Sequence, residues 1–233
     1  MQEVVLLVAG LGRDKAMLSI VNQLSDEPAT IKFIFIVAAA AANSNQNPLT
    51  AARCLIKVVV SGERVYLRPP VKRDAAEFVS LVRRSAALHR GLTSPPRTEE
   101  QFAAFLGRVR RAGSVCFFIC RNEDDAIVGT IMLHQIFHGP FRSAYLGYYV
   151  GAPFANRGYM TEALQLMLRY AFKTIKLHRL EANIQPGNTA SIALVRRAGF
   201  RQEGYSPRYL KICGRWRDHE RWAITVEDWR RKT

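Results

Sequence analysis

Residues 146–164 read LGYYVGAPFANRGYMTEAL. The first five close an aromatic-rich run, RSAYLGYYV, that has the composition of a strand. GAPFANRG then makes a turn, and a helix opens at about Tyr159. It runs to about Lys173, with Leu164, Met167, Leu168 and Ala171 on one face. Beyond it HRLEANI, residues 178–184, reads as a second strand. Two strands joined through a helix of this length form a parallel pair with a right-handed crossover.

Outward from this unit the pattern changes. On the N-terminal side, ERVYLRP (63–69) is a strand that Pro69 ends. Asp74 is the expected N-cap of a helix over AAEFVSLVRRSAALHR, stopped by Gly91. Thr98, followed by Glu99, Glu100 and Gln101, opens a second helix that reaches Arg111, with Gly113 closing it. VCFFICR and IVGTIMLHQIF flank the polar turn NEDD and read as a hairpin. On the C-terminal side, TASIALVRRA is a short helix stopped by Gly199. Two further strands, GYSPRYLKI and RWRDHERWAIT, meet at Cys213–Gly214. The predicted fold is α+β with three layers. Its mixed sheet is mostly antiparallel around one parallel pair, with helices on both faces.

Residues 1–60 read differently. EVVLLVAG and IKFIFIV have strand character, and the run NSNQNP at 43–48 is a linker signal. The segment is expected to be accessory to a domain over 61–230, and a chain beginning near Ser61 is expected to fold and keep activity. The longest uncharged apolar stretch, Phe33 to Ala42, is too short to span a bilayer as a helix, so no membrane partner is expected.

The chain has 233 residues and a net charge of +15, of which residues 1–60 contribute only +1. A field of that sign attracts nucleic acid, ribosome, acidic peptides or a phosphorylated cofactor, without choosing among them. The four cysteines, Cys54, Cys116, Cys120 and Cys213, form no CxxC pair and have no ligand partners at metal spacing. This implies a reducing, cytoplasmic compartment, no structural disulfide and no metal. Cys116 and Cys120 sit in the apolar run VCFFIC and read as core residues.

The turn at 150–161 has chemistry of its own. A strand ends at Val150 and a helix begins at Arg157–Gly158, so unpaired main-chain N–H groups and the positive helix end point into the turn. Such a site binds phosphate. The amides of Asn156, Arg157, Gly158, Tyr159, Met160 and Thr161 are the candidates. Gly158 permits close approach, Arg157 adds charge and Thr161 a hydroxyl. Plain helix capping is the alternative reading.

Three segments, LGYYVGAPFANRGYMTEAL, HRLEANIQPGNTASIALVRRAGF and EGYSPRYLKICGRWRDH, occur in order and together resemble the GCN5-related N-acetyltransferase (GNAT) superfamily. More narrowly they resemble its ribosomal-protein alanine N-acetyltransferase branch, mainly through YLKICGRWRDH. The resemblance covers about 61–230. It implies acetyl-CoA as co-substrate, its pyrophosphate held by the turn, and a protein N-terminus, of a ribosomal protein, as acceptor. The superfamily's turn usually reads Gln/Arg-x-x-Gly-x-Gly/Ala; here Ala155 leads, Asn156 follows and Met160 ends it. Loss of the leading side chain is expected to weaken the cofactor's binding rather than abolish it.

The resemblance also implies roles for individual residues. A bulge in the strand before the turn would leave a main-chain N–H near Tyr149–Val150 free as oxyanion donor, with Val150 the candidate. Glu181 matches the glutamate base of some N-terminal acetyltransferases; pairing with Arg179 is the competing reading. Strand alternation places Arg179, Glu181 and Asn183 on one face and Leu180, Ala182 and Ile184 on the other. Asn188 and Ser191 match an N-x-x-S segment in which the asparagine contacts CoA and the serine serves the departing thiolate, or else Asn188 caps the helix. Val195 stands where some relatives carry a tyrosine acid. Asp218 and His219 are expected at the acceptor entrance, where His219 can act as a base through water. His89, His134, His138 and His178 read as incidental. A small amine acceptor, or a non-catalytic ribosome- or RNA-binding module, are the rival functions.

Overall fold

In the computed structural model the described residues are 58–110 and 113–231; the strands expected within 1–57 and the helix end expected at Arg111 lie outside them. The elements are β1 (Val60–Ser61), β2 (Val65–Arg68), α1 (Ala75–Arg84), α2 (Glu99–Val109), β3 (Val115–Arg121), β4 (Ile127–His134), β5 (Ser143–Val150), α3 (Tyr159–Arg169), β6 (Arg179–Ile184), α4 (Thr189–Ala198), β7 (Arg201–Ile212), β8 (Arg215–Thr225) and α5 (Val226–Arg230). The eight strands form one sheet in the order β1-β2-β3-β4-β5-β6-β8-β7. Among the described strands only β5 and β6 run parallel, and α3 connects them. The edge strand begins at Val60, one residue before the expected boundary, so cutting at Ser61 would remove half of it.

Apolar alternation decides which helices cover which face. Leu164, Met167, Leu168 and Ala171, on α3 and the π turn that extends it, pack with Val65, Ile131, Leu180 and the α4 residue Val195. On the opposite face Phe78 of α1 meets Phe118 of β3 at 4.9 Å and Phe102 of α2 at 5.5 Å. The sheet is therefore a three-layer sandwich, in agreement with the sequence reading. Cys116 and Cys120 lie buried in the second cluster, and burial pushes both thiols up to about 12.

Two local expectations are corrected. Asp74 does not cap α1. Its carboxylate accepts two bonds from Arg68, at 2.8 and 3.0 Å, and one from the Val71 amide. A buried guanidinium needs that partner more than a helix end needs a cap. Helix α1 also stops at Arg84 instead of continuing to Gly91. Ser85 is fully buried; its hydroxyl donates to the Leu81 carbonyl and accepts the Ala152 amide. That tertiary bond ties the helix end to the turn after β5, and residues 85–92 leave it in irregular turns.

Candidate active site

The site begins where two parallel strands part. The β5–β6 ladder holds only Ser143, Ala144 and Tyr145 against Arg179, Leu180 and Glu181. On its other edge β5 stays paired with β4 in unbroken register up to Val150. The Gly151 amide bonds the Val128 carbonyl of β4. Antiparallel alternation then turns the amides of Tyr145, Gly147 and Tyr149 toward β4, and those of Leu146, Tyr148 and Val150 toward the widening gap. Val150 thus turns its main-chain N–H toward the gap. The cause differs from the expected bulge: the departure of β6 frees the amide. Gly129 makes the close β4–β5 approach possible, because a Cβ there would stand 2.0 Å from the Tyr149 carbonyl oxygen.

The turn after β5 contains a short 3-10 segment, Ala152–Phe154. Asn156 (φ 59°) and Gly158 (φ 83°) then adopt left-handed backbone. Gly158 is the N-cap of α3, and no side chain caps that end. Amides of the first helical turn are left for another acceptor. Glu162 anchors this turn by accepting the amides of Arg64 and Val65.

A cavity of about 540 Å3 opens between this turn and α4. Tyr149, Val150, Asn156, Gly158, Met160, Thr161, Asn188 and Ser191, all named from sequence, line it. The ring of Tyr159 is buried in the core with Arg64 over it at 4.4 Å, and the residue does not line this cavity. Arg157 is exposed and does not line the cavity. Asn188 caps α4, its Oδ1 accepting the Ser191 amide at 3.2 Å. The alternative reading of that residue is therefore realised, and it lines the cavity as well.

A second cavity, of about 670 Å3, lies on the α1–α2 face of the sheet. The two cavities share Leu92, Thr93, Tyr148, Tyr149, Asn188 and Ser191. His219 is 3% exposed and lines the second cavity. Its Nδ1 donates to the Arg217 carbonyl at 3.0 Å, so in the neutral imidazole the lone pair is on Nε2. Asp218 is on the other face of β8, accepting from the Tyr205 hydroxyl and the Arg208 amide. The pair expected at one entrance is split by strand alternation.

Glu181 occupies the last paired position of the parallel ladder and lines neither cavity. Arg179 donates to it at 2.9 Å and also binds Glu203. The competing ion-pair reading is the one realised.

Two residues of this region were passed over in the sequence: His89 reads there as incidental, and Tyr148 is not singled out. His89 donates from Nε2 to the Val150 carbonyl at 2.7 Å and stacks 4.1 Å from the Tyr149 ring. Burial lowers its pKa below 6.5, only partly offset by that bond. Tyr148 has its hydroxyl buried and without a well-formed hydrogen bond among the described residues. The Ser191 hydroxyl is near enough to counter part of the burial effect, and the phenol is pushed up to about 12. No local sequence signal marks either one, since both depend on α1 ending early and β6 leaving β5.

Comparison with known proteins agrees with this geometry. Residues 64–201 match the acetyltransferase (GNAT) domain family. A probable N-acetyltransferase, YjcK of Bacillus subtilis, is 31% identical over 73% of this chain and 98% of its own. The [ribosomal protein uS5]-alanine N-acetyltransferase of Escherichia coli is 38% identical over 53% of this chain and 64% of its own length. Among solved structures, Mycobacterium smegmatis RimJ in complex with CoA-disulfide matches with a TM-score of 0.64 at 32% identity, covering 70% of this chain and 82% of that one. With its strands parted beside an uncapped helix end, the chain belongs to the GNAT family of acetyltransferases.

Proposed function

We propose that the protein transfers the acetyl group of acetyl-CoA to the N-terminal α-amine of a protein, a ribosomal protein beginning with alanine or serine. The observation that carries this is the joining of the two cavities at Tyr148, Tyr149, Asn188 and Ser191. One cavity has the main-chain donors a pyrophosphate requires. The other opens to the α1–α2 face and can take a chain end. The uS5-alanine enzyme and the CoA complex among the relatives support both halves. In this reading the catalytic unit lies within about 61–230, acetyl-CoA is the co-substrate, and the enzyme works in the cytoplasm.

The thioester supplies the acyl carbon; the chain supplies position and charge. The Val150 amide donates to the oxygen that gains charge as the amine adds. A C–N bond forms and the C–S bond breaks. The amine proton passes, through water, to His219 Nε2; the departing thiolate is hydrogen-bonded by the Tyr148 or Ser191 hydroxyl, and a proton from the imidazolium, relayed through that hydroxyl and water, completes the CoA thiol and restores both groups. An α-amine has a pKa near about 8, so it asks less of a base than a lysine would. His219 suits the role better than Glu181, which the Arg179 ion pair already holds.

The test is thermal protection by acetyl-CoA, followed by thiol release with an alanine-initiated peptide. No protection would remove the cofactor. Protection, with release only on spermidine and related amines, would move the acceptor to a small molecule.

A further inference from the structure

The acceptor cavity continues into a second groove, of about 940 Å3, between the α1–α2 connection and the tip of the β7–β8 hairpin. Thr93, Ser94, Pro95, Pro96 and Arg108 line both. A molecule entering the reactive chamber from this side therefore lies in the groove.

Its charge is one-sided. Arg90, Arg97, Arg108, Arg215 and Arg217 line it, and among the described residues no carboxylate does. None of the five forms an ion pair with a described carboxylate, while Arg68, Arg121, Arg179, Arg201 and Arg231 all do. The Nε of Arg217 is buried and unbonded among the described residues. A buried donor without an acceptor is costly, and like charges gathered without counter-charge repel. Both are relieved when an anion binds.

The occupant's chemistry follows. Besides His89, the described residues bring no aromatic side chain to the groove, so they give it no stacking surface of the kind single-stranded RNA uses. Guanidinium forks match carboxylates. Five arginines beside the chamber also disfavour an ammonium there, which keeps the attacking amine neutral and repels polyamines.

Building on the proposed N-terminal acceptor, we infer that the segment directly behind the acceptor's first residue is acidic and is held by this arginine groove. The Arg217 carbonyl that fixes the His219 tautomer belongs to the same wall, so groove and base are connected through the main chain.

The experiment uses the full chain, acetyl-CoA and three alanine-initiated peptides differing only at residues 3–6, which are Asp/Glu, Asn/Gln or Lys. The acidic peptide should exceed the neutral one by about tenfold in kcat/KM, the sum of two or three exposed ion pairs. The difference should lie in KM, shrink in 0.5 M salt, and vanish in Arg97→Glu/Arg215→Glu, both residues being exposed. Equal rates for acidic and neutral peptides would overturn the inference and leave the N-terminal acceptor standing. Turnover of spermidine with no peptide acetylated would overturn the underlying reading instead. An RNA oligonucleotide whose salt-sensitive binding is lost in the double variant, with peptides indifferent to charge, would make the groove a nucleic-acid surface. If nothing turns over, anisotropy of the labelled peptides with CoA decides, and equal affinities overturn the inference.

Discussion

The two cavities are built from different material. Around the turn at 150–161 the useful groups are main-chain amides, brought out by left-handed backbone at Asn156 and Gly158 and by a helix end that no side chain caps. On the α1–α2 face they are side chains: His219, the Tyr148 hydroxyl and the arginine groove. Amides are present whatever the sequence, so the donors of the first cavity do not depend on the side chains of Ala155 and Met160. Side chains carry the identity of the second, so single substitutions there should act on one function at a time.

His219→Gln is the largest expected break in that contrast. It should lower kcat/KM by about a hundredfold, as removal of a general base does, while acetyl-CoA protection stays unchanged. Glu181→Gln, measured beside it, should leave turnover within a few fold; a collapse there would return the base role to Glu181. Gly129→Ala attacks the other cavity through the backbone. Its Cβ must push the Tyr149 carbonyl aside, at a cost of about 1–3 kcal/mol in unfolding experiments and with loss of acetyl-CoA protection.

A smaller effect separates His89 from its neighbours. Its pKa lies below 6.5 in the folded chain, so the unfolded chain takes up the proton first. The stabilisation is complete above about 6.5 and falls as pH drops below it. His89→Gln should flatten the Tm–pH profile below about 6.5. The smallest effect sharpens the contrast directly: Ala155→Gln should tighten acetyl-CoA by no more than about threefold in calorimetry, because the amides already supply most of the grip. A gain of two orders of magnitude would show that side chains matter in this cavity after all.

The layers were legible because their signals are local. Aromatic runs, caps and glycine stops at Thr98 and Gly199, and one apolar helix face are each written in fewer than 20 residues. Residues around the turn were legible for the same reason, together with a recognisable order of motifs. The early end of α1 was not. Its run of helix formers continues past Arg84, and only the buried bonds of Ser85 with Leu81 and Ala152 break it. Asp74 was misread likewise, as a cap signal spent on Arg68, six residues away in sequence and buried with it.

The sequence by itself determined the element order, the parallel pair and the amide-lined turn, because periodicity and turn chemistry act over a few neighbouring residues. Tertiary structure decided which titratable groups are held in ion pairs and which line a cavity. Glu181 and His219 both sit on alternating strands and look equivalent in the chain. One closes an ion pair at the narrow end of the gap; the other is buried against the second cavity with no carboxylate partner among the described residues. That distinction depends on where β6 parts from β5 and which strand faces each opening, and long-range strand pairing alone sets both.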